Sequence, residues 1–290
     1  MPSSDILAIV GPTASGKTEL GLTLAQKQNG EIISVDSRQI YRHLSVGTAK
    51  PHDTRGIAYH LIDFLDPDQR FSAADFVRLA TEKLRDIRAR GKTPILVGGT
   101  GFYFKALTQG LAPLPPADAG IRARLKKTAE DKGRLHLHRK LEKVDPVAAR
   151  KVPANNIQRL IRALEVYELT GKPISEWHKE HRSRPSSIAP SSLKFIGIDR
   201  PREELVRRIE ARCRTMMESG MIEETQTLLN QGYAETCPAL TGLGYPRIVT
   251  HIKGTLSKEE CLRLLIQDTR QYAKRQMTWF RHQLQVAWKK

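Results

Sequence analysis

Residues 9–20 read IVGPTASGKTEL, and the fold turns on how they are read. Gly11, Gly16, Lys17 and Thr18 fit the spacing G-x-x-x-x-G-K-[ST], that of a loop whose backbone wraps a phosphate. An apolar run, ILAIV (6–10), precedes it, and an amphipathic helical pattern, GKTELGLTLAQKQ, follows. The helix start adds its dipole to the loop's N–H groups. Gly11, Pro12, Thr13, Ala14, Ser15, Gly16, Lys17 and Thr18 therefore form the expected cradle. The N–H groups of residues 13 to 18 are expected to point inward. Lys17 would meet a terminal phosphate, and the Thr18 hydroxyl is the candidate Mg2+ ligand.

Outward from this loop, EIISVD (31–36), TPILVGG (93–99) and LKFIGID (193–199) are apolar on both faces, as strands inside a parallel sheet are. YHLID (59–63) is a fifth candidate. SAADFVRLATEKLRDIRARG (72–91) is framed by a Ser cap and a Gly stop. Strand and helix alternate, which predicts a doubly wound α/β fold. Between LAPLPPADAG (111–120) and HRSRPSSIAPSS (181–192) the pattern is wholly helical, with Pro- and Ser-rich edges. The reading is an α/β core over 1–112 and 191–290 with an all-α insertion at 113–190. That insertion carries 17 Lys/Arg against 9 Asp/Glu.

Two further helices follow the fourth run. PREELVRRIEARCRTMMESG (201–220) opens with Pro near its first turn. SKEECLRLLIQDTRQYAKRQMTWFRHQ (257–283) opens with a Ser257–Glu260 capping box. On it Arg263, Arg270, Lys274 and Arg281 fall within about 40° of one another, forming either a cationic ridge or a solvated face.

The 290 residues carry 48 Lys+Arg and 31 Asp+Glu, a net charge of +17 that favours a polyanionic partner. No apolar run reaches the length of a membrane span, and no signal or transit peptide is expected. Cys213, Cys237 and Cys261 are scattered, which suggests neither a disulfide framework nor a zinc site and points to a reducing cytoplasm. His136, His138, His178 and His181 lack the partners a metal site needs. Trp177, Trp279 and Trp288 could stack on bases or pack at surface edges.

A nucleotide-hydrolysing enzyme needs an acid at a strand end to orient Mg2+. PILVGGTG (94–101) ends in glycines and Thr100, with no carboxylate. The acid is Asp36, in SVDSRQIY, where it could assist a metal, accept a proton from a nucleophile or cap the following turn.

GPTASGKT, ISVDSRQIYRHLSVGTAKP, ILVGGTGFYFKAL, NNIQRLIRALEVYELTGKPISE, PREELVRRIEARCRTMMESG, GLGYPR and TRQYAKRQMTWFR together resemble the bacterial tRNA dimethylallyltransferases, the tRNA isopentenyltransferase family. The resemblance covers nearly the full chain. It implies a sheet like that of P-loop NTPases, flanked by helices, and transfer of a dimethylallyl group from dimethylallyl pyrophosphate to N6 of adenosine-37, beside the tRNA anticodon. The loop would then hold a departing pyrophosphate, with Mg2+ as cofactor. It implies Asp36 as the base, with Thr100 beside the adenine and Lys17 and Arg212 on the phosphates. Arg208, four residues from Arg212, could share that task; Arg212 could instead pair with Glu204 or Glu210. Contacts to the tRNA anticodon stem-loop are implied for Asp36, Ser37, Arg38, Gln39, Thr100, Arg122, Gln158, Arg159, Leu160, Ile161, Arg162, Lys274, Arg275, Gln276 and Arg281. A cytoplasmic monomer is expected, without the C-terminal zinc finger of some relatives. Pro246 replaces an expected polar residue in GYPR. Two other readings remain open from the residues alone: a small-molecule or nucleotide kinase using ATP, and a nucleotide-switched RNA-binding protein.

Overall fold

The computed structural model describes residues 6–181, 188 and 192–289. The chain forms two compact units, one of Met1–Thr108 with Ser187–Lys290 and one of Gln109–Ser186. In chain order the elements are β1 (Ile6–Val10), α1 (Lys17–Lys27), β2 (Gly30–Val35), β3 (Tyr59–His60), α2 (Ala73–Ala89), β4 (Thr93–Gly98) and α3 (Gly101–Gln109). Then come α4 (Ala119–Lys132), α5 (Arg134–Val144), α6 (Pro146–Ala149), α7 (Ile157–Thr170) and α8 (Ile174–His181). The chain finishes with β5 (Leu193–Ile198), α9 (Arg202–Glu218), α10 (Met221–Asn230), α11 (Tyr245–Ile252), α12 (Lys258–Gln283) and β6 (Ala287–Lys289).

The larger unit holds one six-stranded sheet, ordered β3-β2-β4-β1-β5-β6 and parallel throughout. Alternate residues of each strand face opposite layers. Ile6, Ala8 and Val10 pack with Phe76, Phe104 and Phe280 on one face. Ile9, Ile32, Ile95 and Val97 pack with Leu22 and Ala25 on the other. In α2 the buried residues Phe76, Ala80, Leu84 and Ile87 recur at helical spacing, so the helix presents a single apolar stripe to the sheet. Ser72 and Asp75 close a reciprocal capping box at its start. A third cluster, including Cys213, Met217, Leu228, Tyr245 and Leu265, joins α9, α10, α11 and α12.

Several sequence expectations need amendment. YHLID contributes only Tyr59 and His60, because Leu61 and Asp63 take positive φ angles of 58° and 57° and leave the extended conformation. β6 was not foreseen, since three residues carry too short a pattern; it adds Ala287–Lys289 alongside β5. Ser257 caps α12 through the Glu260 N–H, but the Glu260 carboxylate turns to Arg263, so only half the expected box forms. Pro201 lies at the N-cap of α9, next to its first turn as expected. Pro246 lies in the first turn of α11, where a missing N–H costs nothing.

The smaller unit is helical. Leu125, Leu137, Leu141, Leu160 and Leu164 form its core. Glu165 lies fully buried there and accepts from Arg122, Arg162 and the Asp118 backbone. Its carboxylate therefore fastens α4 to α7.

Candidate active site

Four strand ends deliver the site. The phosphate loop follows β1, Asp36 follows β2, Gly99 and Thr100 follow β4, and Arg200 follows β5. Carboxyl ends of neighbouring parallel strands are where such sheets bind ligands.

The loop has the conformation its glycines suggest. Gly16 takes φ 97°, a left-handed turn that starts α1, and Ala14 takes φ 62°. Cations hold its outer carbonyls: Arg208 Nε donates to Ala14 O at 2.9 Å and Arg200 Nε to Ser15 O at 3.2 Å. Arg200 was not singled out from sequence; only its fold position reveals its task. Arg208 thus braces the loop, and Glu204 pairs with it and with Arg200.

Not every N–H of residues 13 to 18 points at a ligand. Thr13 donates to Gln276 Oε1 at 2.8 Å, and Ser15 to Pro12 O at 3.3 Å. The first N–H groups of α1, at Lys17 and Thr18, have no partner inside the helix and stay available to an anion. Gln276 also donates to Gly99 O at 2.9 Å. It is buried and staples the loop after β1 to the loop after β4. Its side chain braces the two loops and also lines the cavity that holds Asp36.

Lys17 Nζ donates to Pro12 O at 2.6 Å. Burial and the Arg212 charge lower its pKa to about 7, while Asp36 pulls it upward. Arg212 forms no ion pair with Glu204 or Glu210 among the described residues; Glu210 pairs with Arg270. Burial lowers the Arg212 pKa, against the pull of Asp36. Lys17, Arg212 and Asp36 thus sense one another.

These residues line neighbouring cavities that share lining residues. One of about 610 Å³ is walled by Ala14, Gly16, Lys17, Thr18, Arg55, Arg208 and Arg212. A narrow one of about 80 Å³ brings Thr13, Lys17, Thr18, Asp36, Tyr59, Arg212 and Tyr272 together. A third of about 380 Å³ contains Asp36, Ser37, Arg38, Arg212, Met216, Leu265 and Tyr272. Arg212 lines all three, and the narrow cavity brings the phosphate loop and Asp36 to one space. Tyr59 and Tyr272, both missed from sequence, line the narrow cavity. The Tyr59 hydroxyl is hydrogen-bonded to Thr18, and burial followed by Asp36 raises its pKa. The same causes push Tyr272 up to about 12.

Asp36 Oδ1 accepts from the Arg38 N–H at 2.7 Å and the Gln39 N–H at 3.3 Å. The turn-capping role is thus real, and it occupies one oxygen while the carboxylate lines the cavity. Thr100 Oγ1 accepts from the Ser37 N–H at 3.1 Å, so it steadies the residue after Asp36. Gln39 is buried, accepting from Ser34 and donating to the Thr48 and Ala49 carbonyls. Arg38 donates to Pro238 O and Thr241.

The other residues considered for RNA are distributed unevenly. Lys274 and Arg275 are exposed on α12, and Gln158 and Arg159 on α7. Leu160 is fully buried and Ile161 nearly so, which makes them core of the helical unit, not contacts. Arg122 and Arg162 spend their guanidinium groups on Glu165. The proposed cationic ridge is largely neutralised: Arg263 pairs with Glu260, Arg270 with Glu210 and Arg281 with Asp199. Trp279 packs beside Phe280, Trp288 lies under Arg281, and Trp177 under Lys172. Among the described residues no cluster of three His, Cys, Asp or Glu could hold a metal ion, and no helix is long and apolar enough to cross a membrane.

A parallel sheet with a phosphate loop after its first strand, opening onto a carboxylate and two deep cations, defines a P-loop-like group-transfer fold. The comparisons narrow this. The model described as IPP transferase matches residues 39–283, and that described as isopentenyl transferase matches residues 4–66. This chain belongs to the IPP transferase family. The tRNA dimethylallyltransferase of Geobacter metallireducens is 45% identical over 98% of this chain and 91% of its own. Among solved structures, the full-length tRNA isopentenylpyrophosphate transferase of Bacillus halodurans aligns with TM-score 0.70 and 39% identity, over 99% of this chain and 90% of that one. A eukaryotic dimethylallyltransferase captured acting on tRNA aligns with TM-score 0.80 and 27% identity, over 99% of this chain and 74% of that one.

Proposed function

We infer that this protein transfers a dimethylallyl group from dimethylallyl pyrophosphate to N6 of adenosine-37, 3′-adjacent to the tRNA anticodon. The observation that carries the reading is the continuity of the phosphate loop, Arg212 and Asp36 around one cavity. Its family relatives agree. A kinase reading finds no support, since β4 ends in Gly98 and is followed by Gly99 and Thr100 rather than a carboxylate. A purely RNA-binding reading leaves Asp36 in the cavity without a task.

In this reading the allylic C–O bond breaks, a bond forms between that carbon and N6, and pyrophosphate leaves. The α1 N–H groups, Lys17 and Arg212 stabilise the negative charge that gathers on the leaving group. The exocyclic amine is a weak nucleophile because its lone pair is shared with the purine. Asp36 takes the N6 proton as the new bond forms, which contributes roughly 10²–10⁴-fold. Thr100 and Gln39 keep that carboxylate's segment in place. Thr18, which lines the cavity beside Lys17 and Asp36, would hold a Mg2+ ion through its hydroxyl. When bound, Mg2+ supplies charge neutralisation to the leaving group.

The target base must leave its stack to reach so narrow a space. Exposed Lys274 and Arg275, with Arg159 and the polar Gln158 on the helical unit, are the groups we assign to the RNA backbone. The three cysteines are free and buried, in keeping with a cytoplasmic setting. The test is mass spectrometry of tRNA nucleosides after incubation with dimethylallyl pyrophosphate and Mg2+. N6-dimethylallyladenosine should appear at the position after the anticodon; phosphorylated products from ATP, with no prenylated adenosine, would overturn the assignment.

A further inference from the structure

Glu224, in the first turn of α10, belongs to no motif discussed above. Its carboxylate is nevertheless among the most heavily engaged in the larger unit. Oε2 accepts from the N–H groups of Ser45 and Val46, at 2.5 and 2.7 Å. Oε1 accepts from the Gly47 N–H at 3.1 Å and from the Tyr245 hydroxyl at 2.8 Å. Three consecutive N–H groups converging on one anion form a nest of the kind that elsewhere holds phosphate. Here the protein fills it with its own side chain. Gly47 is required for this fit, because a Cβ there would lie 2.4 Å from the Tyr245 hydroxyl oxygen.

What the clamp holds leads to the chemistry. Gly47 and Thr48 wall the 380 Å³ cavity, and Thr48 and Ala49 wall the narrow one. The Thr48 and Ala49 carbonyls accept from the Gln39 amide, at 3.3 and 3.1 Å. Gln39 in turn donates its N–H to Asp36 Oδ1. An unbroken line of hydrogen bonds and backbone thus runs from Glu224 through residues 45–49 and Gln39 to the reacting carboxylate. We propose that Glu224, seated in the Ser45–Gly47 nest and locked by Tyr245, is a positioning residue that sets the placement of Asp36 for proton removal. This rests on the prenyl-transfer reading above.

The test compares wild type, Glu224→Gln and Tyr245→Phe in single-turnover transfer from dimethylallyl pyrophosphate to an anticodon stem-loop. The Michaelis constant for the donor and the fraction of donor-binding sites are measured in parallel. A glutamine cannot accept at both ends, so the nest loosens. Displacing a reacting group by about an ångström costs on the order of 10²-fold in rate. Glu224→Gln should fall by about that factor, with the donor Michaelis constant and the site count unchanged. Tyr245→Phe removes one hydrogen bond and keeps the packing, for a loss of roughly threefold to tenfold. If Glu224→Gln fails to fold, Tyr245→Phe decides. The proposal falls if the folded variants transfer within twofold of wild type, or if lost rate merely tracks lost donor sites, as a structural role would give. Absence of transfer by wild type would instead sink the prenyl-transfer reading itself.

Discussion

Donor affinity should weaken steeply with alkalinity, and Lys17 is the reason. Burial and Arg212 hold its pKa at about 7 in the free protein, compared with an ordinary 10.5. A bound pyrophosphate sets negative charge against the ammonium and raises that pKa again. The bound state therefore holds more protons than the free state between the two values, and binding takes up a proton there. Below pH 7 the lysine is already charged and pH has no leverage through it. Above pH 7 each unit removes up to about 1.4 kcal/mol. For a pKa of about 7 the affinity should drop roughly 25-fold between pH 7.5 and 9.0, about 1.9 kcal/mol. The measurement is calorimetric titration of dimethylallyl pyrophosphate without RNA, at fixed Mg2+, in buffers of different ionisation enthalpy. Proton uptake should approach one per site near pH 8.5. In Lys17→Arg the permanent charge should flatten the curve. An affinity that changes less than about threefold over this range, or a slope that survives Lys17→Arg, would refute the reasoning.

Three further outcomes follow from the same geometry. Asp36→Asn can still cap Arg38 and Gln39 through its amide oxygen but cannot take a proton, so single-turnover transfer should drop at least about 100-fold with tRNA affinity unchanged; near-normal turnover would remove Asp36 as the base. Lys274→Ala should lower the salt slope of tRNA binding by up to about one, whereas Arg270→Ala should leave it alone because Glu210 already neutralises that arginine; equal effects would restore the ridge. Glu31 is buried under Arg90, Lys92 and His60, and hydrogen bonding from Arg90 leads the causes that hold its pKa well below the ordinary carboxylate range. A depressed folded-state pKa contributes stability above pH 4.5 that is lost as acid protonates the group, so Glu31→Gln should cost about 2–3 kcal/mol at neutral pH and progressively less below pH 4.5 in denaturant unfolding.

What could be read from the chain depended on how local its signal was. The phosphate loop announces itself because glycine, lysine and threonine act on a ligand within a few residues of one another. The long strands were legible because apolar residues dominate both their faces, despite Glu31 in β2 and Lys194 in β5. β6 was not, because its three residues derive their pairing from β5 rather than from a pattern of their own. The α12 ridge looked cationic because its counter-charges, Glu210 and Asp199, come from elsewhere in the fold. Gln276 reads as a polar residue on a basic helix; only the arrival of the loops after β1 and β4 turns it into a buried staple. Leu160 and Ile161 show the converse, two positions inside a motif whose task is packing. Glu224 had no sequence signal, since the three N–H groups it satisfies lie far upstream in the chain.

The strand order carries a consequence for how the molecule comes into being. β1, made first, has β4 on one side and β5 on the other, with Ile6 in register beside Leu193. During synthesis one edge of the innermost strand therefore stays bare until most of the polypeptide has emerged, while the helical unit can mature from contacts among near neighbours. Slow, late closure of a parallel sheet, with an apolar edge open to passing chains, makes nascent protein prone to aggregate when translation is fast or warm.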